Sequence, residues 1–159
     1  MAMHTPPAPF TASDRDTPRL SLPLEEALLL ICARRELTEP LLKEAHALAQ
    51  EVDWDRVVEL SLAHRVAPIV FASMKRHLSA VIPDRCLDRL KQHVIASTHG
   101  NLALLSELLR TARELTAGKI RFAVFKGLVI NQSVYQDLAI RQCGDIDILV
   151  DQDNFTRAR

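Results

Sequence analysis

Residues 121–150 constrain the fold of this chain more than any other part of its sequence. They read RFAVFKGLVINQSVYQDLAIRQCGDIDILV. Residues 122–125 are apolar β-formers, Lys126-Gly127 interrupts them, and residues 128–135 are long enough for a short helix. A loop then leads to residues 145–150, where Asp alternates with aliphatic residues as in a half-buried strand. The pattern predicts a strand, a tight turn, a short helix, a loop and a second strand.

The second predicted strand carries paired carboxylates. Side chains alternate across a strand, so Asp145 and Asp147 share one face, and Ile146, Ile148 and Val150 share the opposite, core-facing one. The two acids lie roughly 7 Å apart along the backbone. Mg²⁺ prefers oxygen ligands, and neighbouring carboxylates without a cation repel each other. The pair therefore predicts a site for Mg²⁺ or Mn²⁺, although two surface acids on a strand edge would give the same pattern.

Three further residues of this stretch are candidates for contact with phosphate. Gly127 allows a triphosphate to approach the backbone closely at the start of the helix, where unpaired N–H groups favour anions. Lys126 and Arg141 place positive charge beside the same turn and loop. Simpler interpretations stay open. Gly127 would merely end a strand, Lys126 would be a solvated charge, and Arg141 would pair with an acid of its own domain, Asp145 included.

These residues resemble a known family. The segment GDIDILV, together with the upstream strand that ends in Lys126-Gly127 and the short helix, is similar to the uncharacterised nucleotidyltransferase family of the DNA polymerase β-like nucleotidyltransferase superfamily. The resemblance implies that Lys126-Gly127 is the family's form of the Gly-Ser element of the superfamily. It also implies that Asp145 and Asp147 are its D-x-D pair. Two departures stand out: Leu128 follows Gly127 where a serine is expected, and the sequence ends before a strand that would supply a third carboxylate.

The resemblance implies a Mg²⁺-dependent enzyme that transfers NMP from an NTP to an acceptor. The acceptor is a small molecule, a protein or RNA. Asp145 and Asp147 would be the catalytic and metal-binding residues, and Lys126, Gly127 and Arg141 would bind the nucleotide. The alternative is a truncated or catalytically inactive member that acts as a nucleotide- or protein-binding module. The family expects a third carboxylate, and this sequence does not supply one. Its absence favours the alternative for the chain by itself.

Composition narrows the class of protein. The sequence has 159 residues with 20 basic and 20 acidic side chains, and its zero formal charge argues against a dedicated nucleic-acid-binding surface. The three cysteines share no metal-binding spacing, which predicts reduced thiols in a cytoplasmic protein. There is no signal-peptide pattern and no apolar run near the roughly 20 residues that span a membrane, so we expect no membrane partner.

The rest of the chain predicts helices, and hence an α+β fold class. Apolar periodicity favours helices over 24–36, after Thr38, after Asp53, over 69–78 and from 83 to about 116. The predicted organisation is a disordered tail (1–22), a helical region (23–116) and the start of a nucleotidyltransferase-like α/β domain (117–159). His64 lies at a break between helices, where a capping or packing role is favoured over that of a catalytic base.

Overall fold

The computed structural model describes residues 22–158, and the predicted disorder of residues 1–22 concerns residues outside that range apart from Leu22. The predicted helical part is confirmed, except that its first helix ends at Cys32 and not at the predicted residue 36. Its five helices are α1 (Leu24–Cys32), α2 (Glu39–Leu48), α3 (Trp54–Ala63), α4 (Ala67–His77) and α5 (Asp84–Ala117). Within residues 22–158, no helix is long and apolar enough to cross a membrane.

The helices begin where local chemistry favours them. The side chain of Asp53 accepts hydrogen bonds from the backbone N–H groups of Asp55 at 2.9 Å and Arg56 at 3.2 Å, so it caps α3 as predicted. Thr38 precedes α2 but makes no capping hydrogen bond through its side chain. Helix α4 starts at Ala67, two residues before the predicted position. Pro68 is tolerated in the first turn because a backbone N–H at this position would have no hydrogen-bond partner within the helix.

One apolar core joins α1 to α4 and the first half of α5. Its fully buried members come from every one of these helices, as Leu28, Ala45, Val57, Met74 and Leu90 show. Helix α5 then continues beyond this core for several turns. Its second half forms the base on which the C-terminal part of the chain lies, through buried residues such as Asn101 and Leu108.

The C-terminal part contains the predicted pair of strands. β1 (Phe122–Phe125) and β2 (Asp147–Val150) are antiparallel, with Phe122 opposite Val150 and Phe125 opposite Asp147, and residues 22–158 hold no other strand. The α+β class is therefore confirmed. β2 starts at Asp147 and not at the predicted Asp145. The backbone changes direction at Lys126, directly after the end of β1, so residues 145 and 146 have no strand partner there.

The connection between the strands has a one-turn helix, α6 (Gly127–Ile130), that widens into a π-helical turn (Asn131–Tyr135). The predicted helix over 128–135 is thus present but changes its hydrogen-bond spacing halfway. Beyond β2, a 3-10 turn (Gln152–Asn154) leads into α7 (Phe155–Ala158). The aliphatic face of β2 is only half-buried, because a sheet of two strands covers little of it.

Candidate functional site

A cleft of about 580 Å³ lies between the helical part and the turn that follows β1. All five residues singled out in the sequence line it: Lys126, Gly127, Arg141, Asp145 and Asp147. The helical part contributes the opposite wall, including the segment just after α3. The structure thus brings the predicted site residues together, and it adds a wall that they do not supply.

The turn from β1 into α6 is strained. Lys126 has φ 61° and ψ −158°, a conformation that is almost restricted to glycine, and Gly127 follows with φ 40°. A Cβ on Gly127 would lie 3.5 Å from the carbonyl oxygen of Asp145, so the turn touches the acidic loop directly. Such backbone strain costs about 1–3 kcal/mol and clusters at ligand-binding turns. The local conformation favours a functional role for this turn over a simple strand end.

The two carboxylates differ in their surroundings. Asp145 is exposed just ahead of β2, whereas Asp147 begins β2 and its side chain is 33% exposed. Lys126 Nζ lies 3.6 Å from Asp147 Oδ2, which is an ion pair but is longer than a hydrogen bond. No hydrogen bond to either carboxylate occurs within the part of the chain that the structure describes. The oxygen lone pairs of both residues therefore remain available to a cation.

This donor set fits Mg²⁺ as far as two carboxylates allow. The ion usually takes one or two carboxylates and completes its shell with water and substrate phosphates. Among residues 22–158, no group of three or more His, Cys, Asp or Glu side chains is placed to hold a metal. A cation at this cleft would thus depend on phosphate oxygens as well as on Asp145 and Asp147.

Basic groups outnumber acids around the cleft. Arg65, Lys126 and Arg141 line it together with the two aspartates. Arg141 is exposed, and no acid of residues 22–158, Asp145 included, forms an ion pair with its guanidinium. Lys126 contacts Asp147 and lies 4.8 Å from the centre of the Phe125 ring. The positive groups favour an anionic ligand in this cleft.

Two buried asparagines, which the sequence did not mark as site residues, hold the loop that precedes Asp145. Asn101 of α5 and Asn131 of the π-helical turn, 1% and 0% exposed, both donate from Nδ2 to the carbonyl oxygens of Leu138 and Arg141. Asn101 Oδ1 also accepts from the backbone N–H of Cys143 at 2.9 Å. We call these two residues the asparagine clamp. The only sequence signal was a polar residue on each buried helical face.

Cys143 and His64 are two further residues that line the cleft. Burial raises the pKa of the Cys143 thiol; the Arg141 guanidinium lowers this pKa by less, and the Asp145 carboxylate raises it slightly, so at neutral pH the thiol is protonated. His64 is exposed at the C-terminal end of α3 and lines the cleft. Its backbone N–H donates to the carbonyl oxygen of Leu60 at 3.0 Å and closes the end of α3. Within residues 22–158 its side chain makes no hydrogen bond, so the preference for a capping or packing role over that of a catalytic base stays a prediction.

The fold and the cleft define an α+β protein in which paired carboxylates and basic side chains line one cleft. A sequence model of the family described as "Uncharacterised nucleotidyltransferase" matches residues 50–159, and the chain belongs to that family. The match includes α3, α5, both strands and every residue of the predicted site. Family membership assigns a nucleotidyltransferase-like function in general terms. No curated protein and no solved structure matches the chain.

Proposed function

We propose that the chain binds an NTP in this cleft, with Mg²⁺ on Asp145 and Asp147, and transfers NMP to an acceptor. One observation carries the proposal: a single cleft holds the two carboxylates, the strained Lys126-Gly127 turn and the basic groups. The same arrangement supports the motif assignment within the DNA polymerase β-like superfamily, with Lys126-Gly127 as its first element and the aspartates as its D-x-D pair.

Each residue has a defined task in this proposal. Asp145 and Asp147 hold the cation, which when bound would neutralise charge on the α-phosphate and the departing pyrophosphate. Gly127 allows the turn to form, because its φ of 40° is a backbone conformation that residues with a side chain rarely adopt. Lys126, next to Asp147, and Arg141 face the phosphates as charge-assisted hydrogen-bond donors.

The bond changes require little covalent help from the protein. The acceptor hydroxyl oxygen bonds to the α-phosphorus, the bond from that phosphorus to the bridging oxygen breaks, and pyrophosphate leaves. The hydroxyl proton passes to water at the open side of the cleft. The protein contributes position and charge neutralisation, which carry most of the catalysis in phosphoryl transfer. The acceptor is a small molecule, a protein or RNA.

A second candidate function is nucleotide binding without transfer. It is favoured by the donor set: within residues 22–158, two carboxylates face the cleft and no third metal-ligating side chain joins them. Such a chain would bind an NTP with Mg²⁺ yet release it unchanged. Binding and turnover therefore have to be measured on the same protein preparation.

The proposal is tested with the four NTPs labelled at the α-phosphate, each with Mg²⁺ or with EDTA. We expect Mg²⁺-dependent retention of at least one NTP on the full chain, reduced at least tenfold in Asp145→Asn and Asp147→Asn, which remove charge but keep shape. Asp153→Asn, an exposed acid outside the cleft, is the matched control and should bind like the wild type. Label that moves to an acceptor or appears as NMP supports transfer, and retention alone supports the second function. Equal retention by all four proteins would refute the role of Asp145 and Asp147, and no retention by the wild type would refute both functions.

A further inference from the structure

Arg65 reaches the cleft from the helical part. It follows the end of α3, and its backbone has φ 56°, in the left-handed region that favours glycine. Its guanidinium nitrogen Nη1 lies 3.9 Å from the position that a Cβ on Gly144 would occupy. Gly144 directly precedes Asp145, so the side chain of Arg65 spans the cleft to the loop that carries the acids.

The side chain of Arg65 has no structural task within the described residues. It is exposed, and residues 22–158 supply no ion pair or hydrogen bond to its guanidinium. The turn itself is closed by backbone, since the N–H of Arg65 donates to the carbonyl oxygen of Leu62 at 3.1 Å. A glycine would form this turn with less strain. The backbone therefore does not explain an arginine at this position.

We infer that Arg65 is a phosphate-binding residue, which grips the β- and γ-phosphates of the triphosphate from the helical side together with Arg141. The inference rests on the proposed function. A guanidinium offers two parallel donors that match phosphate oxygens, and it stays charged at every relevant pH. Lys126 is already paired with Asp147 at 3.6 Å, so the two arginines are the cations of this cleft without a counter-ion among residues 22–158.

One consequence concerns the whole fold. Arg65 belongs to the helical part and Arg141 to the segment after the π-helical turn, so a polyphosphate held by both would bridge the two parts of the chain. Ligand should then raise the stability of both parts together, because it binds only where they meet. Removing either guanidinium should weaken that coupling.

The test measures binding of inorganic tripolyphosphate to the full chain by calorimetry, in EDTA and at low ionic strength. Arg65→Gly is compared with Lys119→Gly. Lys119 is also basic, also follows a helix and has φ 54°, but it lies outside the cleft. Both changes remove one cation and relieve a positive φ. We expect Arg65→Gly to weaken binding about tenfold or more, and Lys119→Gly to bind like the wild type.

A third variant separates geometry from charge. Arg65→Lys keeps the charge but loses the paired donors, so its affinity should lie between those of the wild type and Arg65→Gly. Both glycine variants should melt no lower than the wild type without ligand. If Arg65→Gly does not fold, Arg65→Asn, a residue that tolerates this φ, replaces it.

The outcomes separate this inference from the proposed function. Equal tripolyphosphate affinity of the wild type and Arg65→Gly, or no binding by the wild type, would overturn the role of Arg65. Because EDTA removes divalent cations, the result does not depend on Asp145 and Asp147 as metal ligands. Arg65-dependent tripolyphosphate binding without any Mg²⁺-dependent NTP retention would leave the phosphate site standing and refute the proposed function alone.

Discussion

Replacing Asn101 with alanine should release the loop that positions Asp145 and Asp147. The change removes two hydrogen bonds to carbonyl oxygens, at 2.6 and 2.7 Å, and one from the N–H of Cys143, at 2.9 Å. A net worth near 1 kcal/mol per bond gives a loss of about 3 kcal/mol. The carbonyl oxygens of Leu138 and Arg141 keep Asn131 as a donor. The backbone N–H of Cys143 therefore becomes the main group without a hydrogen-bond partner.

Urea denaturation measures this loss. The single tryptophan, Trp54, reports on the helical part, and circular dichroism reports on all helices. Hydrogen exchange of residues 138–150 adds a local signal. We expect exchange in this segment to accelerate more than exchange in the helical core, because the clamp lies outside that core. Adding Asn131→Ala should cost more than the sum of the single changes, because the carbonyl oxygens of Leu138 and Arg141 keep one donor in each single variant and lose both in the double variant.

The matched control is Thr98→Val on the same helix. Thr98 Oγ1 donates to the carbonyl oxygen of Val94 in its own helix, at 2.7 Å, and within residues 22–158 its hydroxyl makes no hydrogen bond to the loop. Its replacement should change the free energy of unfolding by less than about 0.5 kcal/mol. If Asn101→Ala unfolds at the same urea concentration as Thr98→Val, with unchanged exchange in 138–150, the clamp does not hold the loop.

Three further predictions concern stability. Ile148→Ala should cost only about 1–2 kcal/mol in a urea titration, because the residue is half-buried and a fully buried aliphatic truncation costs about 2–5. The Arg85 guanidinium lowers the pKa of Asp55 below 3.8, so this carboxylate should stabilise the fold above that pH and lose the effect as pH falls through the lower value. The melting temperatures of the wild type and Asp55→Asn should therefore converge in acid, and a constant difference would contradict the pairing. Burial raises the pKa of the Cys32 thiol from 9.0 to about 11. The stability that the buried neutral thiol contributes to the fold should therefore be lost as pH rises between those values. A thiol reagent should modify it at the rate of global unfolding, and rapid labelling would show that it is accessible.

The sequence predicted the elements whose signals are local. Helical periodicity, the Asp53 cap and the short apolar strands are properties of neighbouring residues, and each is present in the structure. The gathering of Lys126, Gly127, Arg141, Asp145 and Asp147 in one cleft also follows from local order, since a strand, a turn and a returning strand keep these positions close.

Contacts between distant segments could not be predicted. Asn101 lies about forty residues before the carbonyls that it binds, and Arg65 is farther still from Gly144. Their partners are fixed by how α5 and the turn after α3 pack, which periodicity does not encode. The late start of β2 has a similar cause. The strained backbone of Lys126 ends the strand pairing. A lysine in the sequence does not indicate a φ of 61°, as a glycine would, so this turn could not be predicted.

Binding of Mn²⁺ to the full chain tests the central claim most directly. Free Mn²⁺ is followed by electron paramagnetic resonance in the wild type, Asp145→Asn, Asp147→Asn and Asp151→Asn. Asp151 is a close control, because it is 35% exposed and pairs with Arg121 as Asp147 pairs with Lys126, yet it lies outside the cleft. We expect weak binding by the wild type and by Asp151→Asn, strengthened by NTP, and at least tenfold weaker binding by the other two variants. Equal Mn²⁺ affinity in all four proteins would show that Asp145 and Asp147 are surface charges and not a metal site.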